Sequence, residues 1–210
     1  MRNIYLYLLD TMADWEIGFV TAELNSARFF KKNAPKISLQ TVALSKSPIK
    51  TMGGLTITPD CLVDNIEMSE NSVLLLPGAN TWSSPEHSAI LKKASELLSL
   101  GATVCAICGA TAALANLGLL DNRPHTSNGA GFLEMISPAY KGTAFYVDSP
   151  SVSDSNLITA GCHGSLLWAK QIIERLGVFA PDTLEFWYNY FSTGKAEHFF
   201  ALMQSLPTAE

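Results

Sequence analysis

One stretch of sequence decides the fold: Ala102-Thr103-Val104-Cys105-Ala106-Ile107-Cys108-Gly109-Ala110-Thr111-Ala112-Ala113-Leu114. Its first half is a short run of apolar and β-branched residues, which predicts a buried strand. Its second half is rich in alanine and leucine, which favour helix. Because no loop residues separate the two halves, the pattern predicts a strand that turns directly into a helix at Cys108.

A turn this tight brings strand and helix so close that the residues two before and two after the pivot must be small. They are Ala106 and Ala110, and Gly109 follows the pivot directly. This is the arrangement of a nucleophile elbow, with cysteine where serine hydrolases have Gly-x-Ser-x-Gly. The positive end of a helix dipole stabilises thiolate, so we expect a lowered pKa for Cys108. The alternative is a buried structural cysteine, and the helix-start position favours the reactive one.

Composition limits the class of protein. The chain has 210 residues, 48% of them hydrophobic, and a net charge of −5, which suits one compact domain over 1–210 with 181–210 as a C-terminal helical extension. No cluster of Lys and Arg is longer than two, so we expect no nucleic-acid partner. No apolar run is long enough to span a bilayer, and the pattern of a signal peptide is missing. We therefore expect a cytoplasmic protein that does not bind membranes.

Four cysteines raise the question of disulfides and metals. Cys105 and Cys108 form a C-x-x-C, but on one strand their Cα atoms would lie about 10 Å apart. A disulfide needs less than roughly 7 Å. A zinc site would need a second pair of ligands at suitable spacing, and none is apparent. We expect free thiols, no metal and no cofactor.

Strands and helices alternate along the rest of the chain, which predicts an α/β fold with a doubly wound, mostly parallel sheet and helices on both faces. A hairpin around Gly53-Gly54 is expected as an antiparallel edge of that sheet. The main elements are predicted strands at 3–9, 36–44, 72–76, 103–107 and 156–160, and predicted helices at 14–30, 85–100, 165–176, 182–191 and 196–204.

In such sheets the ligand crevice lies at the carboxyl ends of the strands. The turn Pro77-Gly78-Ala79 ends one strand there, and we expect the N–H groups of Gly78, Ala79 and Gly109 to form an oxyanion hole beside Cys108. Such a turn is also common where it has no catalytic role. Glu16 follows the first strand. Buried beside Cys108 it would have a raised pKa and would exchange a proton with the thiol, whereas an exposed carboxylate would only complement the helix dipole.

Two histidines are candidates for a base that assists Cys108. His125 lies in a polar loop after the elbow helix, and His163 lies at another strand end within Gly161-Cys162-His163-Gly164. The sequence does not choose between them, and it leaves open that neither takes part. It also leaves open whether Cys162 forms a redox pair with Cys108.

At these residues the chain resembles the ThiJ/PfpI superfamily. The resemblance covers most of the chain and rests on motifs in a specific order: Asp14-Trp15-Glu16, Gly53-Gly54-Leu55, Leu74-Leu75-Leu76-Pro77-Gly78, Ala106-Ile107-Cys108-Gly109-Ala110 and His125-Thr126-Ser127-Asn128. It implies a flavodoxin-like (class I glutamine amidotransferase-like) fold, an elbow cysteine at Cys108, a neighbouring glutamate at Glu16, and a homodimer.

The chain also departs from that family pattern. Many protease-like members have histidine directly after the cysteine, where this chain has Gly109, and Ala79 replaces the second glycine of their Pro-Gly-Gly turn. A glutamine amidotransferase needs a His-x-Glu near the C-terminus, and this chain has none. These departures weaken the protease and amidotransferase interpretations.

Three functions remain open at this point. The first is an enzyme that acts on a small carbonyl or acyl substrate or a reactive electrophile, by hydrolase/amidase or glyoxalase/deglycase-type chemistry at Cys108. The second is a non-enzymatic oxidative-stress sensor or holdase that uses the same cysteine. The third is a small-ligand binding module with a vestigial thiol.

Overall fold

The computed structural model describes residues 1–207. Its strands are β1 (Arg2–Tyr7), β2 (Ile37–Ala43), β3 (Ile49–Lys50), β4 (Thr56–Ile57), β5 (Cys61–Leu62), β6 (Ser72–Leu76), β7 (Thr103–Ile107), β8 (Ser151–Asp154) and β9 (Leu157–Ala160). Its α-helices are α1 (Asp14–Ser26), α2 (Ser88–Ser99), α3 (Gly109–Asn116), α4 (Phe132–Ile136), α5 (Ser165–Leu176), α6 (Pro181–Thr193) and α7 (Ala196–Gln204).

Seven strands form the central sheet in the order β5-β2-β1-β6-β7-β9-β8. All neighbours are parallel except β8 and β9, which are antiparallel. The chain winds from β1 to β2 in one direction and from β6 to β7 and β9 in the other. Right-handed crossovers in opposite directions place helices on opposite faces of a sheet. The predicted doubly wound α/β fold is confirmed, and the winding direction reverses between β1 and β6.

The core follows from strands that are apolar on both faces, as expected for parallel strands covered by helices. Every residue of β6 and β7 is buried, and Ile4, Tyr7, Leu75 and Ile107 are fully so. The parallel pairing register brings the carboxyl ends of these strands close together. The turns after β1, β6, β7 and β9 therefore meet at one edge.

The hairpin of β3 and β4 differs from the prediction. It forms a separate two-stranded sheet, and the edges of the central sheet are β5 and β8. Hydrogen bonds hold it instead against the turn after β1: Asp14 Oδ2 accepts from Gly53 N at 2.6 Å, and Met52 N donates to Met12 O at 2.9 Å. The sequence showed the turn but not its partner, because the contact depends on tertiary packing.

Helix α1 ends earlier than predicted. It stops at Ser26 because Ala27 takes the left-handed conformation (φ 53°) and donates its N–H to Glu23 O. Alanine is an uncommon residue at such a helix end, where glycine is the usual choice. The predicted helix over 14–30 therefore runs four residues too far, and Phe29 packs into the core from the loop.

The predicted C-terminal extension contains α6 and α7, and its residues 208–210 lie outside the described part of the chain. Trp187 of α6 is fully buried, and its indole Nε1 donates to Glu23 Oε1 of α1 at 3.0 Å. Glu23 also pairs with Arg28, so the buried carboxylate has a cation beside it. These contacts join α6 to the helix layer of α1 and α5.

Candidate active site

Cys108 occupies a sharp turn between β7 and α3. Its backbone has φ 57° and ψ −126°, a conformation that L-residues rarely adopt and that commonly marks functional sites. Three hydrogen bonds hold it: Cys108 N donates to Ala160 O at 2.9 Å, and Thr111 donates to Cys108 O from both N and Oγ1, at 3.0 and 2.6 Å. Ala106 and Ala110 are fully buried on either side. The structure therefore has the elbow that the sequence predicts.

Glu16, from the first turn of α1, lies beside Cys108. Its side chain is fully buried, and Oε2 accepts from Gly78 N at 2.6 Å. Ala13 N donates to Gly78 O at 2.9 Å, so the turn after β1 and the turn after β6 are bound in both directions. Within residues 1–207, Oε1 has no hydrogen bond of normal geometry, and the Cys108 thiol is the neighbouring polar group.

Gly78 is where the two groups meet. A Cβ at this position would lie 2.7 Å from Cys108 Cβ and 2.8 Å from both Glu16 carboxylate oxygens. A Cβ does not approach non-bonded atoms that closely, so any side chain here would separate the thiol from the carboxylate. The Pro77-Gly78-Ala79 turn thus allows a nucleophile and a carboxylate to share one buried space.

The electrostatics of the pair differ from the expectation for a cysteine at a helix start. Burial, and next the charge of ionised Glu16, raise the pKa of the Cys108 thiol to about 11. Hydrogen bonds from Asn128 and the Gly109 N–H act in the opposite direction but are weaker. Burial also raises the pKa of the Glu16 carboxyl, and the hydrogen bond from Gly78 partly opposes that rise. The predicted lowering of the thiol pKa is wrong for the state with ionised Glu16, because burial and the negative neighbour outweigh the helix dipole.

Asn128 is a sulfur contact that sequence reasoning missed. Its Nδ2 donates to Cys108 Sγ at 3.3 Å, and its Oδ1 accepts from Cys162 N at 2.9 Å. One carboxamide thus connects the elbow to the turn after β9. A signal for this contact was present in the sequence, because His125-Thr126-Ser127-Asn128 is a polar run soon after the elbow helix. The sequence alone assigned no role to Asn128.

Two backbone N–H groups are available beside the sulfur. The Gly109 N–H is directed at Cys108, and Ala79 N lies 3.7 Å from where a Gly109 Cβ would be. Ala79 N has no acceptor among the hydrogen bonds of the described residues, and the neighbour of the Gly109 N–H is the sulfur itself. Gly78 N is already used by Glu16. A role for Gly78 in an oxyanion hole would require that hydrogen bond to break.

Neither candidate histidine has a hydrogen bond to Cys108 within the described residues. His125 is fully buried, with Nδ1 on Arg123 O at 2.8 Å and Nε2 on Tyr140 Oη at 2.7 Å. Burial lowers the pKa of its imidazole. His163 is exposed and lies against Gly161, with no hydrogen bond to the sulfur within the described residues. His125 would have to leave Arg123 O and Tyr140 Oη before it could assist the thiol.

A cleft of about 350 Å³ opens at Cys108, with α3 and α4 along one side. It is lined by Ala79, Asn80, Trp82, Ser83, Cys108, Gly109, Ala112, Ala113, Asn116, Asn128, Phe132 and Ile136. Glu16 does not line it, so only the sulfur of the pair faces the opening. A groove of about 400 Å³ between α1 and β2 has no titratable side chain in its lining, and we therefore place the candidate site at Cys108.

Within the part of the chain that the structure describes, no group of three or more His, Cys, Asp or Glu side chains is arranged to hold a metal ion. No helix within 1–207 has the length and apolarity required to cross a bilayer.

The residue after the cysteine also has a structural explanation. A Cβ at Gly109 would lie 3.1 Å from Ala79 O and 3.4 Å from Trp82 Cδ1. Trp82 is largely buried, and its indole Nε1 donates to Pro77 O at 2.8 Å. A side chain at position 109 would therefore press mainly on the Ala79 carbonyl, while its contact with the indole would be close to ordinary van der Waals distance.

Comparison with known proteins agrees with this geometry. A family model described as "DJ-1/PfpI family" matches residues 2–175. A Bacillus subtilis protein named "Uncharacterized protease YoaZ" is 47% identical over 205 residues, covering 98% of both chains. The crystal structure of a ThiJ/PfpI family protein from Bacillus anthracis has 45% identity and a TM-score of 0.95, covering 99% of both chains. That of a DJ-1 superfamily protein from Agrobacterium tumefaciens has 28% identity and a TM-score of 0.80, covering 92% of this chain and 99% of its own. The chain belongs to the DJ-1/PfpI family.

Proposed function

We propose that this protein is a cysteine-dependent enzyme that acts on a small carbonyl or acyl compound. The chemistry is of the hydrolase/amidase or glyoxalase/deglycase type, with the Cys108 sulfur as nucleophile. One observation carries the proposal. The sulfur lies at an elbow between a buried carboxylate and an open cleft, with the amide of Asn128 and the N–H of Gly109 directed at it.

The proposed proton transfer follows from the contact between Glu16 and Cys108. Glu16 has a raised pKa, and the thiol loses its proton only at high pH while Glu16 is ionised. When the single proton of the pair moves to Glu16, the carboxylate charge disappears and the carboxylic acid can donate to the thiolate. A minor population of thiolate with protonated Glu16 is then the reactive form at neutral pH.

The bond-forming step uses the two backbone N–H groups beside the sulfur. The thiolate adds to the substrate carbonyl, the S–C bond forms, and the carbonyl electron pair moves onto oxygen. The N–H groups of Ala79 and Gly109 hold that oxyanion. In the hydrolase form the intermediate collapses to a thioester on Cys108, and the leaving group departs with a proton taken from solvent in the cleft. Water then cleaves the thioester, the acid is released with return of one proton to solvent, and the pair regains its thiolate with protonated Glu16.

This scheme gives no proton-transfer role to His125 or His163. The imidazole of His125 is bound to Arg123 O and Tyr140 Oη, and His163 has no hydrogen bond to the sulfur within the described residues. The protease names of relatives support hydrolase chemistry, and they are statements about those relatives. The four cysteines are free, which supports a reducing compartment such as the cytoplasm. The homodimer remains part of the proposal.

A second candidate function uses the same sulfur as an oxidation sensor. Cys108 is partly exposed, and the donors that would hold an oxyanion, together with the Asn128 amide, would also hold the oxygens of a sulfinate. In that case peroxide would oxidise the thiol and no substrate would be turned over.

Turnover separates these functions. Methylglyoxal and simple amides and esters are offered to the wild type, to Cys108→Ser and to the matched control Cys162→Ser. The proposal expects turnover that falls roughly 100-fold or more in Cys108→Ser and stays close to wild type in Cys162→Ser. If the wild type turns over none of these compounds but gains two oxygen atoms on Cys108 with dilute peroxide, the sensor function replaces the enzyme.

A further inference from the structure

The cleft in front of Cys108 contains no charged side chain. Of the residues that line it, Trp82, Phe132, Ile136, Ala112 and Ala113 are apolar. The remainder are small residues, carboxamides and Cys108 itself. Neither a cation that would pair with an anionic substrate nor a carboxylate that would pair with a cationic one lines the opening.

The small side chains of two alanines in α3 leave the volume of the cleft open. Ala112 and Ala113 are largely buried where the helix faces the cleft. Larger side chains on these consecutive positions would project into the volume of about 350 Å³. The indole of Trp82 is fixed by its hydrogen bond to Pro77 O, and Ser137 Oγ donates to Ala112 O at 3.1 Å, which ties the end of α4 to α3. The apolar walls are therefore held in place before any ligand binds.

The polar groups in the cleft are neutral amides with unused hydrogen-bonding capacity. No hydrogen bond within residues 1–207 involves the side-chain amides of Asn80 or Asn116. A carboxamide donates and accepts, so it suits a neutral polar group of a ligand better than an ion.

From these observations we infer that the site takes uncharged carbonyl compounds whose carbonyl carries an apolar substituent of aryl or branched-alkyl size, and that it selects against charged ones. The inference rests on the proposed function, because it concerns the same sulfur. The cleft would hold the apolar substituent between Trp82 and α3 while the carbonyl carbon faces Cys108. Small ligand sites of this kind typically combine apolar walls with a few polar groups that orient the ligand.

The test uses alkylation of Cys108, because it reports on the cleft without requiring turnover. Three reagents share one reactive group: iodoacetamide, N-benzyl iodoacetamide, and the same benzyl reagent with a carboxylate on the ring. Rates at Cys108 are measured by peptide mass spectrometry and divided by the rates of the same reagents with glutathione. Since all three reagents meet the same thiolate population, rate ratios do not depend on the thiol pKa.

We expect the benzyl reagent to react roughly tenfold faster than iodoacetamide after normalisation, and the carboxylate to abolish that preference. Ala113→Leu fills the cleft and should remove the benzyl preference, so that the normalised rates of the benzyl reagent and iodoacetamide become equal. Asn116→Lys adds a cation at an exposed position and should raise the rate of the carboxylated reagent. Ala89→Lys, on the exposed surface of α2, is the matched control and should not.

The possible failures are distinguishable. Equal normalised rates for benzyl reagent and iodoacetamide in the wild type, or an undiminished rate for the carboxylated reagent, would overturn the inference. A Cys108 that reacts with none of the three reagents would overturn it together with the proposed function. A clear benzyl preference without turnover of any carbonyl compound would refute the proposed function and leave the selectivity of the cleft established.

Discussion

Cys108 and Glu16 are two acids that share one buried space, and their protonation states are coupled. Glu16 is fully buried, and its charge is one of the causes that raise the pKa of the thiol. Between the loss of the first and the second proton the pair holds one proton, which lies on sulfur or on oxygen. The ratio of these two forms does not change with pH over that interval.

The pH dependence of Cys108 alkylation should reveal this coupling. In the wild type we expect the rate to rise as the pair loses its first proton at the raised pKa of Glu16, to stay level through neutrality, and to rise again towards about pH 11. Glu16→Gln should show a single rise with its midpoint below pH 11, because no carboxylate charge then opposes ionisation of the thiol. Iodoacetamide labelling followed by peptide mass spectrometry measures both profiles.

The control for that experiment is Glu174→Gln, the same substitution at an exposed position of α5, which should keep the wild-type profile. A wild-type profile with one rise, superimposable on that of Glu16→Gln, would mean that the carboxylate does not exchange a proton with the sulfur.

Gly78→Ala tests the close approach of thiol and carboxylate. The new methyl group would lie 2.7 Å from Cys108 Cβ, so we expect a loss of about 1–3 kcal/mol in the free energy of unfolding. Gly18→Ala in α1 is the control: nothing lies within 4 Å of its Cβ, and we expect a gain of about 0.5–1 kcal/mol. Urea unfolding of both variants is the measurement. A Gly78→Ala variant as stable as wild type would show that the two groups are less closely packed than described.

At the scale of elements, Trp187 is the fully buried aromatic residue of α6. It contacts the rest of the molecule beside the ring contact of Phe191 with Phe19 and the ion pair of Lys170 with Glu185. Trp187 packs edge-to-face on Phe19 of α1 and on Phe179, with ring centroids 6.1 and 6.2 Å away. Its indole N–H donates to the carboxylate of Glu23, which is itself buried. A buried hydrogen bond to a charged group is costly to lose, because the acceptor cannot turn to water.

Trp187→Phe should therefore destabilise the protein by about 2–4 kcal/mol, from the cavity and the lost donor together. Trp15→Phe removes a similar hydrogen bond, from Nε1 to Cys162 O at 3.2 Å, but Trp15 is 53% exposed. We expect this control to change the free energy of unfolding by less than about 0.5 kcal/mol. Chemical denaturation followed by far-UV circular dichroism compares the two, and equal effects would contradict the anchoring of α6 by Trp187.

Some features could be predicted from local sequence and others could not. The difference lies in the range of the interactions that form them. The elbow was predictable because its requirement for small residues at 106 and 110 is local. The end of α1 was not, because a left-handed alanine at 27 goes against residue preference. Asn128 reaches the sulfur across 20 residues of chain, and the engagement of His125 by Tyr140 arises only when the intervening loop packs.

At the scale of the whole molecule, the site lies where the winding of the sheet reverses. Glu16 follows β1, Gly78 follows β6 and Cys108 follows β7, and these three strands are adjacent in the sheet. The general rule that ligands bind at the carboxyl ends of strands at such a switch point was enough to place these residues on one rim. It was not enough to decide which rim residues touch, and so the histidines remained candidates.

The oligomeric state is a property of the whole molecule that the family resemblance predicts. We expect a homodimer of about 45 kDa, twice the 22.7 kDa of one chain. Helix α7 exposes Phe199, Phe200 and Met203, and Trp15 is exposed elsewhere, so apolar surface is available for an interface. Sedimentation velocity at micromolar concentration measures the mass, and a single species of one-chain mass would contradict the expectation.

The most direct test of the central claim is to look for the bond between substrate carbon and sulfur. A p-nitrophenyl ester with an uncharged apolar acyl group is mixed with the protein, the reaction is stopped by acid at early times, and intact mass and peptide maps are recorded. We predict one acyl group per chain, attached to Cys108, formed in step with the first release of nitrophenol and absent in Cys108→Ser. Release of nitrophenol with no acyl group on Cys108, or at an equal rate in Cys108→Ser, would contradict nucleophilic catalysis by this sulfur.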